Sequence, residues 1–142
     1  MKAFEMTAET TLDPLATSHT APKFAAPDPA ALADWYADNL GFETAVFEDG
    51  AYAIAARGEL CIHFWKCEDR KIAENTACYT EIETLPALEM LHEEILEATK
   101  KPSFKPGRVE AEPKNQDGHG MREFHMWDPA GNLIGFGAPL GD

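Results

Sequence analysis

The sequence predicts an α+β fold built from paired βαβββ modules. Three observations carry this: a strong hairpin near the end of the chain, two amphipathic helices each followed by short strand runs, and a composition suited to one modest core. The hairpin is two apolar runs, around residues 121–127 and 133–136, flanking Asp128-Pro129-Ala130-Gly131-Asn132. Proline sets φ, glycine supplies positive φ, and Asp and Asn tolerate tight turns. Upstream, Gly118 and Gly120 let backbone pass close to something bulky.

With 142 residues, 44% of them apolar, the chain can bury the interior of a single domain. Its net charge of −13 repels nucleic acid and anionic membrane and attracts cationic small molecules. Cys61, Cys67 and Cys78 are odd in number and lack C-x-x-C spacing. That argues against a disulfide framework or zinc knot and suits a reducing cytoplasm. No run approaches the roughly 18 apolar residues of a membrane span, and the first residues show no apolar signal region. The expectation is a soluble, cytoplasmic protein.

Residues 1–17 lack a clear period and are expected to form a loose arm. Residues 18–142 then make one domain, with modules at about 18–66 and 76–138. A first strand at 19–25 contains Pro22, which marks an edge or a bend. Asp28 followed by Pro29 starts a helix over 29–40. Leu32, Trp35, Tyr36 and Leu40 give it one apolar stripe, and Gly41 closes it. Strands follow at 44–47, 51–56 and 59–66, separated by the turns Glu48-Asp49-Gly50 and Arg57-Gly58.

The charged stretch 67–75 serves as a connector to a strand at 76–83. Thr84 caps a second helix, to about residue 99, with Leu88, Leu91 and Ile95 buried. Residues 104–112 are poorly patterned, 113–120 form a polar loop, and the hairpin follows. The same element order therefore occurs twice, a repeat of architecture rather than of sequence. Each helix would pack outside a curved sheet and leave a concave inner face.

Local strings agree with a known family. Trp35-Tyr36-Ala37-Asp38-Asn39-Leu40-Gly41-Phe42, Glu74-Asn75-Thr76 and Asp128-Pro129-Ala130-Gly131-Asn132 resemble elements of the glyoxalase/bleomycin-resistance/dioxygenase (vicinal oxygen chelate) superfamily. Gly120-Met121-Arg122-Glu123-Phe124 resembles the last hairpin of its bleomycin-resistance branch. The resemblance spans about residues 19–138 and implies the vicinal oxygen chelate fold. Enzymes of that superfamily generally use a divalent metal held by His, Glu or Gln on the first and last strands of each half. Here those slots fall near Thr20, His63, Ala77 and Gly135, of which only His63 is a usual ligand. His19 is one residue out of register, and a one-residue slip reverses the face.

The resemblance accordingly implies a non-catalytic binder with no cofactor. It would be a homodimer whose interface grooves sequester a cationic or aromatic small molecule, such as a bleomycin-type glycopeptide antibiotic. The alternatives are a metal-dependent glyoxalase- or dioxygenase-type lyase or isomerase, and an interaction module with no small-molecule ligand.

Strand parity puts Cys61, His63 and Trp65 on one face and Ile62 and Phe64 on the other, where burial under a helix suits them. Tyr52 falls where the resemblance places a stacking phenylalanine, and His119 where it places a stacking tryptophan. With Arg122 and Glu123 of the hairpin, the expected ligand-binding set is Tyr52, His63, Trp65, His119, Arg122 and Glu123. Each has a plainer competitor: Trp65 as core packing, and Arg122 with Glu123 as a local pair. His125 suits a structural role, Trp127 packing on a loop, and Cys61 and Cys78 small buried apolar positions.

Overall fold

The two long helices begin where their caps predict. The structure is a computed structural model that describes residues 13–141. In it the Asp28 carboxylate accepts from the Ala31 amide at 3.2 Å, and Pro29 opens helix α1 (Pro29–Leu40). Gly41 ends that helix in the left-handed conformation, φ 71°, which only glycine adopts without cost. Before the helix lies β1 (Lys23–Ala26), and after it β2 (Glu43–Phe47), β3 (Tyr52–Arg57) and β4 (Leu60–Lys66). The sheet order is β1-β4-β3-β2, with β1 parallel to β4 and the other pairs antiparallel.

A short helix α2 (Arg70–Glu74) leads to the second module. This comprises β5 (Ala77–Glu81), α3 (Leu85–Ala98), β6 (Arg108–Val109), β7 (Lys114–Gln116), β8 (Met121–Trp127) and β9 (Leu133–Pro139). Its order is β5-β9-β8-β6, with β7 also on β8 and β5 parallel to β9. The strands thus form two mixed sheets, one per module, each with a helix on one face.

Three details depart from expectation. The first strand starts at Lys23 rather than residue 19, because Pro22 has no N–H to give the ladder. The 67–75 connector holds α2, capped by Asp69 on the Lys71 amide at 3.0 Å, its short apolar face hidden among charges. The polar loop at 113–120 contributes β7 to the sheet edge. Residues 1–12 of the expected arm lie outside the described residues, and Asp13–Ala16 forms an exposed turn.

The hairpin turn is one of the joints between the modules, beside the Arg57–Glu94 ion pair of β3 and α3 at 2.6 Å. Asp128, 2% exposed, accepts from the amides of Ala130, Gly131 and Asn132 through Oδ1. Its Oδ2 accepts from the Tyr36 hydroxyl of α1 at 2.9 Å. Asn132 Nδ2 reaches back to the Ala25 carbonyl of β1 at 3.0 Å, and Trp35 Nε1 donates to the Phe104 carbonyl at 2.9 Å. Burial drives the Asp128 carboxyl up to about 6, against the pull of the hydrogen bonds from Tyr36, Asn132 and Ala130. The turn motif is therefore a clamp as well as a reversal.

Candidate functional site

Each sheet has a helix-covered face and an open face, and the residues with chemistry sit on the open ones. In the first module, Tyr52 pairs with Trp65 and Ile54 with His63 across β3 and β4, which puts all four side chains on one face. Ile62 and Phe64 point the other way and are fully buried, Phe64 against Tyr36 of α1. The Tyr52 hydroxyl and His63 Nδ1 lie 2.7 Å apart, their rings edge to face. Trp65 is 36% exposed, and Phe47, opposite Tyr52 on β2, is exposed beside it. Lys23 Nζ lies 5.8 Å from the centre of the Tyr52 ring. This is an aromatic surface with no carboxylate in its hydrogen-bonded pair.

The open face of the second module has a carboxylate at its centre. Glu123 pairs with Gly137 across β8 and β9, and His125 and Tyr79 both lie opposite Gly135. With only hydrogen at those glycines, neighbouring rings can lie across β9. A methyl added at Gly135 would come within 3.3 Å of both Tyr79 and His125, and one at Gly137 would collide with the Tyr79 hydroxyl. That hydroxyl donates to Glu123 Oε2 at 2.7 Å, and His119 Nε2 meets the same oxygen at 2.8 Å.

Glu123 is only 8% exposed. Burial opposes its charge, yet the bonds from His119 and Tyr79, with the nearby His119 and His125 rings, hold its carboxyl below the ordinary range. Burial and the adjacent Glu123 push the Tyr79 phenol up to about 12, so it remains a donor. Further along the face, Glu110 accepts from the His125 amide at 2.8 Å and lies 2.9 Å from its Nδ1. Beyond it, the Arg108 guanidinium stacks on Trp127 at 3.7 Å.

The expected site residues therefore divide into two groups and one outlier. Tyr52, His63 and Trp65 share the first face, and His119 and Glu123 share the second. Among the described residues no hydrogen bond or ring contact joins the two groups. Arg122 lies on the helix-covered side, where Nε bonds Glu89 of α3 at 2.6 Å and Nη1 bonds Asn115 at 2.8 Å. Strand alternation puts it on the opposite side of β8 from Glu123. Tyr79, Glu110 and Arg108 were not anticipated. Tyr79 had a legible signal, because alternation along 76–83 puts it with Ala77 and Glu81, opposite Cys78, Thr80 and Ile82.

Similarity to solved structures agrees with the fold and the motifs. A bleomycin-binding protein from the bleomycin-producing Streptomyces verticillus, solved with copper(II)-bleomycin, superposes with a TM-score of 0.69 at 27% identity, covering 88% of this chain and 97% of that one. A bleomycin resistance determinant encoded on transposon Tn5 gives 0.68 at 25% identity, covering 87% and 98%. The chain has the vicinal oxygen chelate fold and is similar to bleomycin-binding and bleomycin-resistance proteins. A lactoylglutathione lyase from Agrobacterium tumefaciens shares the fold at 16% identity and a TM-score of 0.61, covering 86% and 93%. No protein-family model matches the sequence, and no curated relative does.

Metal-dependent vicinal oxygen chelate enzymes need three or four donors at the strand slots named above. Here Ala77 and Gly135 bring no donor, and the space over Gly135 is flanked by the rings of Tyr79 and His125. His63 has its Nδ1 beside the Tyr52 hydroxyl. Among the described residues no three His, Cys, Asp or Glu side chains converge as a metal site would require. The residues at these slots do not fit a divalent ion. No helix among the described residues is long and apolar enough to cross a membrane.

Proposed function

We propose that this protein is a non-catalytic binder that sequesters a cationic or aromatic small molecule, of the bleomycin type, in grooves between two copies of the chain. The observation that carries the reading is the pair of open faces, one aromatic and one centred on Glu123, on a chain 27% identical to a bleomycin-binding protein. Aromatic faces stack on flat heterocycles, and a net charge of −13 attracts a cation. Because no hydrogen bond or ring contact among the described residues joins the two sets of side chains, a complete groove takes the first face of one copy and the second face of its partner. Phe47, exposed at the edge of the first open face, is apolar surface that such pairing would cover, while Trp65 and Tyr79 line the groove. The protein acts in the cytoplasm, where the free thiols of Cys61, Cys67 and Cys78 are at home.

Calorimetric titration of the purified protein with bleomycin tests the reading. Saturable binding with one ligand per chain is expected, and heat of dilution alone would refute it. Sedimentation at micromolar concentration should give a dimer, with an interface above about 1,000 Å².

A further inference from the structure

We infer that Tyr79 is the aromatic platform of the second open face and that it receives a planar cationic ring system face-on. The inference rests on the proposed groove and specifies what that face asks of a ligand. Its first support is geometric. Gly135 and Gly137 leave β9 without side chains beneath the ring, so the phenol lies across the strand with its outer side free, at 50% exposure. The second is anchoring. The hydroxyl is held at 2.7 Å by Glu123, a nearly buried carboxylate, so the ring is preorganised and a ligand need not fix it on binding.

The third support is electrostatic. A phenol donating to a carboxylate gains electron density, which strengthens the negative face that attracts cations and electron-poor rings. Glu123 engages both partners through Oε2, and its Oε1 accepts no hydrogen bond among the described residues. Glu81 stands two residues along β5 on the same face, and Glu110 lies beyond His125. Facing cations are Lys114, opposite Glu123 on β7 but in no ion pair with it, and Arg108, occupied by Trp127. His119, the expected stacking residue, is tied by Nε2 to the same Glu123 oxygen and presents the smaller ring.

Fluorescence titration with proflavine, a planar cation, and with acridine, a neutral ring of the same shape at pH 8, tests the inference beside the bleomycin titration. Wild type should favour proflavine, and Tyr79→Leu should weaken proflavine binding about 5- to 30-fold with little change in melting temperature. Tyr79→Phe keeps the ring and should lose less. Gly137→Ala, whose methyl displaces the hydroxyl, should lose affinity while leaving Tyr79 in the sequence. Absence of proflavine binding, equal affinity for acridine, or unchanged binding in Tyr79→Leu would each overturn the inference. If bleomycin fails to bind while proflavine binds through Tyr79, the antibiotic reading falls and this one stands. If bleomycin binds equally to wild type and Tyr79→Leu, and proflavine does too, this inference falls and the antibiotic reading stands.

Discussion

The first open face is a hairpin surface on which Tyr52 and His63 hold each other, whereas the second is organised by Glu123, which holds Tyr79 and His119 at once. Both come from the same core order of elements and strand pairing, with β7 added to the second sheet. Their chemistry differs because of what the central strands carry. β4 presents His63 and Trp65 to its open face, so that sheet is filled by its own rings. β9 presents Gly135 and Gly137, so neighbouring strands must lay their side chains across it. One topology thus yields an apolar wall and a polar, acidic one, and a ligand between copies would meet one of each.

Breaking the clamp between the modules should remove both faces together and is the largest effect expected. Asp128→Ala leaves the Tyr36 hydroxyl and several amides without an acceptor in a buried site. A loss of about 3–5 kcal/mol is expected in denaturant unfolding; a loss below about 1 kcal/mol would mean that the turn does not hold the modules.

The pH dependence of stability sharpens the contrast between the two carboxylates. Asp128, driven up to about 6 by burial, binds more protons folded than unfolded. Its contribution is therefore full below about 4 and declines as pH rises to about 6, by roughly 2–3 kcal/mol. Glu123, held below its ordinary range, behaves oppositely: its contribution is present above the usual carboxylate value and is lost as pH falls through the lowered one. Asp128→Asn should flatten the slope between about pH 4 and 6, read from unfolding curves across that range. A slope in wild type that rises with pH over this window would show that the hydrogen bonds outweigh burial.

The wall residues give smaller, separable effects. Trp65→Ala should weaken bleomycin binding by about 1–3 kcal/mol, because the side chain is exposed enough to act as a platform. A cost in stability of about 3–5 kcal/mol with unchanged affinity would instead identify it as core. Arg122→Ala should leave affinity unchanged, since the side chain sits on the helix-covered side with Glu89. It should cost at most about 1 kcal/mol of stability, because that ion pair is partly exposed. An affinity loss on this variant would return Arg122 to the groove.

Much of this fold could be read from local chemistry, because caps and turns act over a few residues. Asp28-Pro29, Gly41, Thr84 and the Asp128–Asn132 turn each specify their own geometry, and the helices they bound begin and end within a residue of expectation. Short edge elements escaped because β6 and β7 are held by partners remote in sequence rather than by their own pattern. The facing of the side chains was legible where strand alternation was applied, as for His63 and Trp65. The site was missed where the signal lay in an absence. Gly135 and Gly137 show nothing in sequence until their neighbours Tyr79, His125 and Glu123 are known.

The central claim, that each groove joins the first face of one chain to the second face of another, can be tested by mixing two weakened variants. Trp65→Ala chains and Tyr79→Leu chains are refolded together, and the purified heterodimer is titrated with bleomycin. In that heterodimer one groove carries both changes and the other carries neither. The account predicts wild-type affinity at half the wild-type stoichiometry. If both faces served a site within one chain, every site would carry one change, and weak binding with no tight component would contradict the account.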